Sequence, residues 1–241
     1  MKFDSPLMEG VLLRRYQRFL ADVQLLDGSV VTAHSSNTGS MMGCSTPGSR
    51  VWLRDSGNPR RKYPLTWEIV EGDSGALVGI NTLLANDLVE EGINNGVVAE
   101  LQGYRDLRRE VRYGNENSRI DLLLEKAGGK VYVEVKSVTL AEGATALFPD
   151  AVTARGQKHL RELAAMSAQG HGAVILYCIQ RNDVDRFAPA DRIDPEYGRL
   201  LREVMAAGVQ ALAYKAHVGL REVRLVEKVP MLESVLEKAA F

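Results

Sequence analysis

The stretch KVYVEVKSVTL, residues 130–140, begins with an alternating pattern of the kind typical of a strand. Valine occupies every second position from 131 to 135, and Tyr132, Glu134 and Lys136 fall at the positions between and after them. Because successive side chains of a strand point to opposite faces, this pattern predicts a β-strand with one apolar face. The opposite face then carries a carboxylate and an ammonium two residues apart, which is either a solvated surface or part of a chemical site.

The periodicity of the chain changes near residue 82. Before it, short alternating runs such as RRYQRFLADVQLLDGSVVTAH and LTWEIVEGDSGALVGIN are separated by Gly, Ser, Asn and Pro, which predicts a small β-barrel or sandwich. After it, helical patterns such as AVTARGQKHLRELAAMSAQG and PEYGRLLREVMAAG alternate with apolar strands such as AVILYCI. Such alternation favours an α/β domain with a mixed sheet. The predicted domains are residues 1–82 and residues 83–241.

The composition is that of an ordinary globular protein: 241 residues, 45% hydrophobic and 25% charged. The longest apolar run, AVILYCI, is too short to span a bilayer, and the first residues lack the apolar segment typical of a signal peptide. Cys44 and Cys178 lie far apart and have no metal-binding spacing. These features favour a cytoplasmic protein with free thiols and no membrane association.

The net charge of −1, from 30 Lys+Arg and 31 Asp+Glu, argues against a uniformly basic nucleic-acid coat protein. Basic residues of the predicted barrel nevertheless form two groups: Arg14, Arg15 and Arg18 in one strand, and Arg60, Arg61 and Lys62 in one loop. Barrels of this kind bind nucleic acids through basic grooves with exposed aromatic residues. The six residues are therefore candidate phosphate contacts, with ordinary surface charges as the alternative.

The stretch RIDLLLEKAGGKVYVEVK predicts a hairpin. With Gly128-Gly129 as its two-residue turn, Asp121 lies directly opposite Lys136. Paired residues share a face, so Asp121, Glu134 and Lys136 converge, while the apolar residues at 120, 122, 133 and 135 pack on the other side. A change of one residue in the loop would reverse these faces.

Two carboxylates so close together repel each other unless a cation lies between them. Mg²⁺ suits this position because it takes oxygen ligands and keeps several waters, so that Asp121, Glu134 and a substrate phosphate suffice. Lys136 would orient the attacking water or neutralise charge developing on phosphorus. The alternative is a cross-strand ion pair between Asp121 and Lys136, contributing only about 0.2–1 kcal/mol.

Further basic residues flank this pattern. Arg119 shares the face of Asp121 under strict alternation, and is either a phosphate contact or a surface arginine at a strand end. The helix that follows begins with Arg155, Gln157 and Lys158, and helix N-termini favour anions such as phosphates. His159, also in this first turn, is interpreted as a structural residue rather than a ligand.

Several long strings resemble the bacterial sugar fermentation stimulation protein A (SfsA) family. These strings are RRYQRFLADV, TAHSSNTGSMMGCSTPGSRVWL, LVGINTLLAN, REVRYGNENSRIDLLLE, VYVEVKSVTL and FPDAVTARGQKHLREL, within a resemblance that spans about residues 5–230. The resemblance implies an N-terminal OB-like barrel followed by an α/β domain similar to PD-(D/E)XK nucleases. It also implies DNA binding without sequence specificity and a link to the regulation of maltose metabolism.

The resemblance assigns residues to the nuclease motif. Asp121 matches its aspartate, and Glu134 and Lys136 match its E-x-K pair. Glu100, in the predicted helix VAELQGY, matches an acidic residue that such nucleases supply from their first core helix. Ile120 stands where the motif name implies a proline.

The expected function is DNA binding, with RNA as an alternative nucleic acid, and hydrolysis of phosphodiesters with Mg²⁺ or Mn²⁺ at Asp121, Glu134 and Lys136, assisted by Glu100. One rival hypothesis is a non-catalytic DNA-binding transcriptional regulator that keeps the nuclease scaffold. Another is a sugar-responsive sensor. The intact motif and the absence of a helix-turn-helix or zinc module favour the enzyme. Both a monomer and a homo-oligomer remain open.

Overall fold

The computed structural model describes residues 1–114 and 118–232. Its N-terminal part contains six strands: β1 (Met8–Tyr16), β2 (Leu20–Leu25), β3 (Val30–His34), β4 (Arg50–Asp55), β5 (Leu65–Glu71) and β6 (Leu77–Gly79). They form a sheet of order β3-β2-β1-β4-β5-β6, and a further pairing between β3 and β5 closes the first five strands into a barrel. The predicted OB-like barrel is therefore confirmed.

The barrel is filled by the inward-facing residues of its alternating strands. Leu12, Val23 and Trp67 are completely shielded from solvent and belong to one apolar cluster. A Cβ atom at Gly10 would lie 2.5 Å from Val23 Cγ1, so β1 and β2 approach each other closely at this glycine.

The remaining chain forms an α/β domain, as predicted. Its helices are α1 (Leu84–Asn94), α2 (Ala154–Ala168) and α3 (Pro195–Ala206), with a short 3-10 helix at Ala99–Leu101. Its strands are β7 (Tyr104–Tyr113), β8 (Ser118–Lys126), β9 (Gly129–Val138), β10 (Leu140–Glu142), β11 (Thr145–Phe148), β12 (Gly172–Ile179), β13 (Arg186–Pro189), β14 (Gln210–Val218) and β15 (Val223–Lys228).

Six of these strands form the central sheet, in the order β15-β14-β12-β9-β8-β7. Strands β9, β12 and β14 are parallel, and the outer pairings are antiparallel, so the sheet is mixed. One face packs against α1 and the other against α2 and α3, which gives two apolar layers. In the described part of the chain, no helix combines the length and apolarity needed to cross a membrane.

The hairpin β8–β9 differs from its predicted register. Lys126 pairs with Gly129, so the turn is Ala127-Gly128 and every pairing is shifted by two residues. A shift of two preserves which face each paired residue occupies. Strict alternation fails at one point, however: Ile120 packs in the layer of α2, whereas Leu122 packs in the layer of α1.

A buried arginine joins the barrel to the α/β domain. The guanidinium of Arg181 donates to both carboxylate oxygens of Asp183, at 2.6 and 2.7 Å, and to the backbone carbonyl of Thr139 at 2.7 Å. Ser74, at the end of the barrel, donates to the same carboxylate at 2.6 Å. Trp52 and Ile69 of the barrel also belong to the apolar layer of α1, so the two domains share a core.

A loop of the barrel, residues 35–43, forms a second connection and is called the barrel loop below. Met41 N–H and the Ser40 hydroxyl donate to the side chain and backbone oxygens of Asp150, at 3.1 and 2.7 Å. Ser36 donates to Asn81 at 2.7 Å and accepts from Thr82 N–H. The barrel loop therefore contacts the segments that precede both α1 and α2.

Candidate metal and nucleic-acid site

Glu134 and Lys136 lie on β9, a central strand of the sheet, and point toward α2. Glu134 is 2% exposed, and its Oε1 atom accepts a hydrogen bond of 2.7 Å from Lys136 Nζ. His159, in the first turns of α2, contacts the same oxygen through Nδ1. The second oxygen, Oε2, is buried and has no hydrogen-bond partner.

Asp121 lies where the pairing of β8 with β9 ends. The last paired residues are Leu122 and Val133, and one residue further Asp121 Oδ2 accepts the backbone N–H of Val135 at 2.7 Å. Asp121 Oδ1 accepts from the Asn86 amide of α1 at 3.0 Å. These two hydrogen bonds fix the carboxylate between the two strands, on the side of α1.

The two carboxylates are electrostatically unequal. Burial, together with the charge of Glu134, raises the pKa of Asp121 from 3.8 to about 6. Burial also opposes ionisation of Glu134, but Lys136 and His159 outweigh it and hold the pKa of that carboxyl below its ordinary value. Near neutral pH the two carboxylates of Asp121 and Glu134 therefore carry more negative charge than the ammonium group of Lys136 neutralises.

The site residues fit a hard divalent cation. Glu134 Oε2 is a buried oxygen without a partner, and burial and the charge of Glu134 raise the pKa of Asp121, the direction that a nearby cation would reverse. Among the described residues, no group of three or more His, Cys, Asp and Glu side chains has metal-holding geometry. A cation would therefore be held by two carboxylates, with waters, backbone or substrate oxygens completing its shell, as Mg²⁺ commonly is.

A cleft of about 360 Å³ opens beside Asp121. Arg119, Arg155 and Lys158, three of the predicted phosphate contacts, line it together with Asp121 and His159. Arg119 comes from β8, whereas Arg155 and Lys158 come from the first turns of α2, which Thr153 caps by accepting from Gly156 N–H. The structure thus brings these basic residues to the carboxylates.

Gln157 lies elsewhere. Its amide donates to both carboxylate oxygens of Asp194, at 3.1 and 3.2 Å, and the same carboxylate accepts Thr153 N–H and caps α3 through Tyr197 N–H. Gln157 therefore joins α2 to α3. A contact between Gln157 and phosphate would require breaking this buried network.

Glu100 is also placed apart from the site, which corrects the role inferred from the resemblance. It lies in the 3-10 helix rather than in a full helix, and accepts from Tyr214 at 2.6 Å and Lys228 at 2.7 Å. Its backbone carbonyl accepts from the side chain of Lys126. Lys126 is five residues from Asp121 along β8, so their Cα atoms are about 16 Å apart. Asn86 of α1 is the helix residue that reaches Asp121 instead.

Arg15 is held within the barrel. Its Nη2 atom donates to the backbone carbonyls of Arg18, Asn37 and Gly39, at 2.7, 3.0 and 2.9 Å. The arginine therefore fixes the β1–β2 turn against the barrel loop. Arg14 is exposed but is paired with Asp22 at 2.8 Å.

The other basic residues of the barrel are more accessible. Arg18, Arg60 and Lys62 are exposed, while Arg61 is half-buried and donates to Thr66 at 3.1 Å. Phe19, which is 41% exposed, lies beside His34 with ring centroids 6.3 Å apart. This end of the barrel carries both positive charge and an accessible aromatic ring.

Arg15 and Arg60 form a matched pair for a test. We expect Arg15→Ala to lose about 2–3 kcal/mol of unfolding free energy, because three backbone carbonyls lose their donor. Arg60→Ala should leave stability unchanged and, for the nucleic-acid binding that the sequence predicts, reduce its salt dependence by about one counterion. Thermal melts and binding titrations at several salt concentrations distinguish the two. A normal melt for Arg15→Ala with a reduced salt slope would assign it to the nucleic-acid surface instead.

The sequence did not identify two contacts of the candidate carboxylates. Asn86 was not a candidate, although its amide donates to Asp121 Oδ1. His159, interpreted as structural rather than as a ligand, contacts Glu134 directly. Asn86 carries no local signal, because Asp121 lies 35 residues further along the chain.

Comparison with known proteins gives a consistent result. Residues 13–80 match the family model described as the SfsA N-terminal OB domain, and residues 83–222 match the Sugar fermentation stimulation protein RE domain. A sugar fermentation stimulation protein homolog from Geobacter metallireducens is 60% identical over 232 residues, which cover 96% of this chain and 100% of the relative. The homolog from Geobacter sulfurreducens is 61% identical over 232 residues, which cover 96% of this chain and 99% of the relative. A solved structure, that of Pyrococcus furiosus SfsA in complex with Ca²⁺, superposes with a TM-score of 0.87 at 31% identity, covering 96% of this chain and 99% of that one.

Proposed function

The chain belongs to the sugar fermentation stimulation protein (SfsA) family. On this basis we propose that it binds the phosphate backbone of a nucleic acid and uses a divalent cation to hydrolyse a phosphodiester bond. One observation carries the proposal. Asp121, which is half-buried, lines a cleft together with three basic residues, and the charges of the buried Glu134 and of Lys136 act on its carboxyl group. This combination suits a substrate that is anionic where it binds and accumulates further charge when it reacts.

Asp121 and Glu134 would hold the cation, Mg²⁺ or Mn²⁺. The Pyrococcus furiosus relative was solved with Ca²⁺, another cation that prefers oxygen ligands. Such a cation supplies Lewis-acid stabilisation of a phosphoryl oxygen and lowers the pKa of water. Among the protein groups, the hydrogen bonds from Val135 N–H and Asn86 hold Asp121 in a fixed orientation, which preorganises that side of the site.

Lys136 and His159 act on the other carboxylate. Lys136 Nζ lies 2.7 Å from Glu134 Oε1, and His159 Nδ1 contacts the same oxygen, which leaves Oε2 for the cation. The Lys136 side chain is 13% exposed, so its ammonium would act close to Glu134 and the cation. Its role is charge stabilisation beside the reacting phosphorus.

The nucleic acid would run from the barrel to the cleft. Arg15 connects the turn bearing Arg18 to the barrel loop, and the barrel loop contacts Asp150, four residues before α2 begins. Arg155 and Lys158 lie in the first turns of that helix. Phosphates would therefore meet exposed basic groups at both ends of this path, and Phe19 offers a ring on which a base can stack.

A cleavage assay tests the proposal. Duplex and single-stranded DNA and RNA are incubated at low salt with Mg²⁺ or Mn²⁺, using wild type and a Glu134→Ala/Lys136→Ala double variant. We expect the double variant to lose at least about 10²- to 10³-fold in rate while retaining salt-sensitive binding. Lys130→Ala, an exposed lysine on the same strand, serves as the matched control and should keep full activity.

Equal rates from wild type and the double variant would indicate a contaminating nuclease and contradict the assignment. Binding without cleavage on every substrate would instead support a non-catalytic DNA-binding protein on this scaffold. Loss of activity in Lys130→Ala would show that charge in general, rather than the pair at Glu134 and Lys136, limits the rate.

A further inference from the structure

Two neighbouring strands of the central sheet change face at the same place. In β8, Leu122 packs in the layer of α1, but Ile120, two residues earlier, packs in the layer of α2. In β7, Arg109 forms ion pairs with acidic residues of α1, whereas Val111 packs in the layer of α2. Residues two apart on a regular strand share a face, so the pleat of both strands is interrupted between these positions.

The interruption occurs at Glu110 and Asp121, which lie opposite each other. They are enclosed by two regular pairs, Arg109–Leu122 and Val111–Ile120. Strand β8 therefore stays paired with β7 through the change of face, whereas its pairing with β9 ends just before Asp121 is reached. The strands separate at this point, and both Glu110 and Asp121 line the cleft that opens there.

The backbone of Glu110 makes the change of face possible in β7. Its φ angle is +53°, in the left-handed region that residues other than glycine seldom adopt. Among the described residues, the other three non-glycine residues with positive φ lie in turns and loops of the barrel. A left-handed residue interrupts the pleat and redirects neighbouring side chains, as it does in a β-bulge. Such strain persists where the surrounding structure requires it, and it is concentrated at functional sites.

The change of face determines where the Asp121 carboxylate lies. If alternation continued from Leu122, Asp121 would enter the apolar layer of α2 and Ile120 would enter that of α1. Instead, the carboxylate lies between β8 and β9, where it accepts Val135 N–H at 2.7 Å and the Asn86 amide at 3.0 Å. It thereby satisfies a backbone donor of a central strand beyond the last pair of the β8–β9 ladder.

We propose that Glu110 is a positioning residue. Its left-handed backbone lets β7 follow β8 through the change of face, and this places the Asp121 carboxylate beside Val135 N–H and the cleft. The effect is transmitted through the backbone, while the exposed Glu110 side chain lines the cleft. That the placed carboxylate serves hydrolysis rests on the proposed function, but its placement by Glu110 does not.

Three substitutions of Glu110 separate the backbone from the side chain. Glycine adopts positive φ without strain, glutamine keeps the shape of the side chain without its charge, and β-branched valine resists this conformation. Hydrogen exchange of the Val135 amide, followed by NMR, reports its hydrogen bond to Asp121. Glu110→Gly and Glu110→Gln should exchange like wild type. Glu110→Val should exchange about 10- to 100-fold faster, as for a lost hydrogen bond to a charged acceptor.

Two controls accompany these variants. Arg112→Val is the matched substitution, because Arg112 is exposed, lies two residues further along β7 and does not line the cleft. Valine suits a regular strand, so exchange at Val135 should stay at the wild-type rate. The Ile175 amide of β12, on the other side of β9, reports general stability. In Glu110→Val it should change much less than the Val135 amide.

The cleavage assay gives a second readout. A displaced Asp121 carboxylate should lower kcat more than it raises KM, because binding depends on the basic residues of the cleft. Glu110→Gly should therefore exceed Glu110→Val in kcat by about 10²-fold, the effect typical of a misplaced catalytic group. Glycine ordinarily weakens the interior of a strand and valine strengthens it, so strand propensity alone predicts the opposite order.

Wild-type exchange at Val135 in Glu110→Val would overturn the proposal, as would equal acceleration at Val135 and Ile175. Loss of cleavage in Glu110→Gln, with wild-type exchange at Val135, would assign the role to the carboxylate itself and also contradict the proposal. The expected exchange pattern without cleavage by wild type would refute the proposed hydrolysis and still support the placement of Asp121. The two proposals therefore fail through different results.

Discussion

Replacing Asp121 by asparagine should stabilise the cation-free protein. The pKa of Asp121 is raised from 3.8 to about 6, so holding its carboxylate ionised at neutral pH opposes folding by up to about 3 kcal/mol. Asparagine removes that charge and still accepts Val135 N–H, while the Asn86 amide can rotate to pair with it. Allowing for imperfect hydrogen bonds, we expect a gain of about 1–2 kcal/mol, or about 3–6 °C in melting temperature.

The effect has a defined pH dependence. Because the folded-state pKa lies above the unfolded one, the native protein takes up a proton as pH falls through about 6, and the penalty on wild type is relieved. The difference between variant and wild type should therefore be full above pH 6 and vanish below about pH 4. Melting curves in chelator across this range measure it.

Divalent cations should reverse the order of stabilities. A ligand bound only by the folded state stabilises it in proportion to the logarithm of its concentration, and wild type retains the complete Asp121 site. At saturating Mn²⁺ wild type should melt above Asp121→Asn. An equal response of both proteins to Mn²⁺ would show that Asp121 does not bind the cation.

Arg181→Ala should be among the most destabilising single substitutions in the chain. It leaves the Asp183 side chain with only the Ser74 hydroxyl as a side-chain partner, and leaves the buried Thr139 carbonyl with only the weak Cys44 thiol donor. Burial alone would raise the pKa of Asp183, but the hydrogen bonds from Arg181 and Ser74 hold it below its ordinary value, so an ionised carboxylate remains behind. We expect a loss of about 3–5 kcal/mol, or about 6–15 °C in melting temperature.

Arg181→Lys and an Arg181→Met/Asp183→Leu double variant separate the causes. Lysine keeps the positive charge but loses the bidentate hydrogen bonds to Asp183, and should recover only part of the stability. The apolar pair removes the stranded carboxylate and should be less damaging than Arg181→Ala alone. If the double variant were the least stable of the three, the ion pair itself, rather than the unpaired charge, would be responsible.

The architecture was predictable because the hydrophobic periodicity was strong. Short alternating runs before residue 82 predicted the barrel, and the amphipathic pattern of residues 154–168 predicted α2. The hairpin register was harder, since both Ala127-Gly128 and Gly128-Gly129 are acceptable turns. The resulting error of two residues preserved the faces of the paired residues. Asp121 approaches β9 for another reason: the pairing ends at Leu122, and its carboxylate accepts the backbone N–H of Val135.

Long-range partners explain what local pattern did not predict. Glu100 is fixed by Tyr214 and Lys228, more than a hundred residues away, and Gln157 is fixed by Asp194. None of these three partners is visible from neighbouring sequence. Glu100 was assigned from the family resemblance, and Gln157 from its position at the start of a predicted helix.

The barrel loop has a consequence for how the family can vary. The loop belongs to the N-terminal domain, but its contacts with Asp150 support the start of α2 and hence the position of His159. A chimaera that joins the barrel of one relative to the α/β domain of another would mismatch at this contact, even with a clean junction at residue 82. Functional exchange should require the barrel loop and the segment around Asp150 to be transferred together.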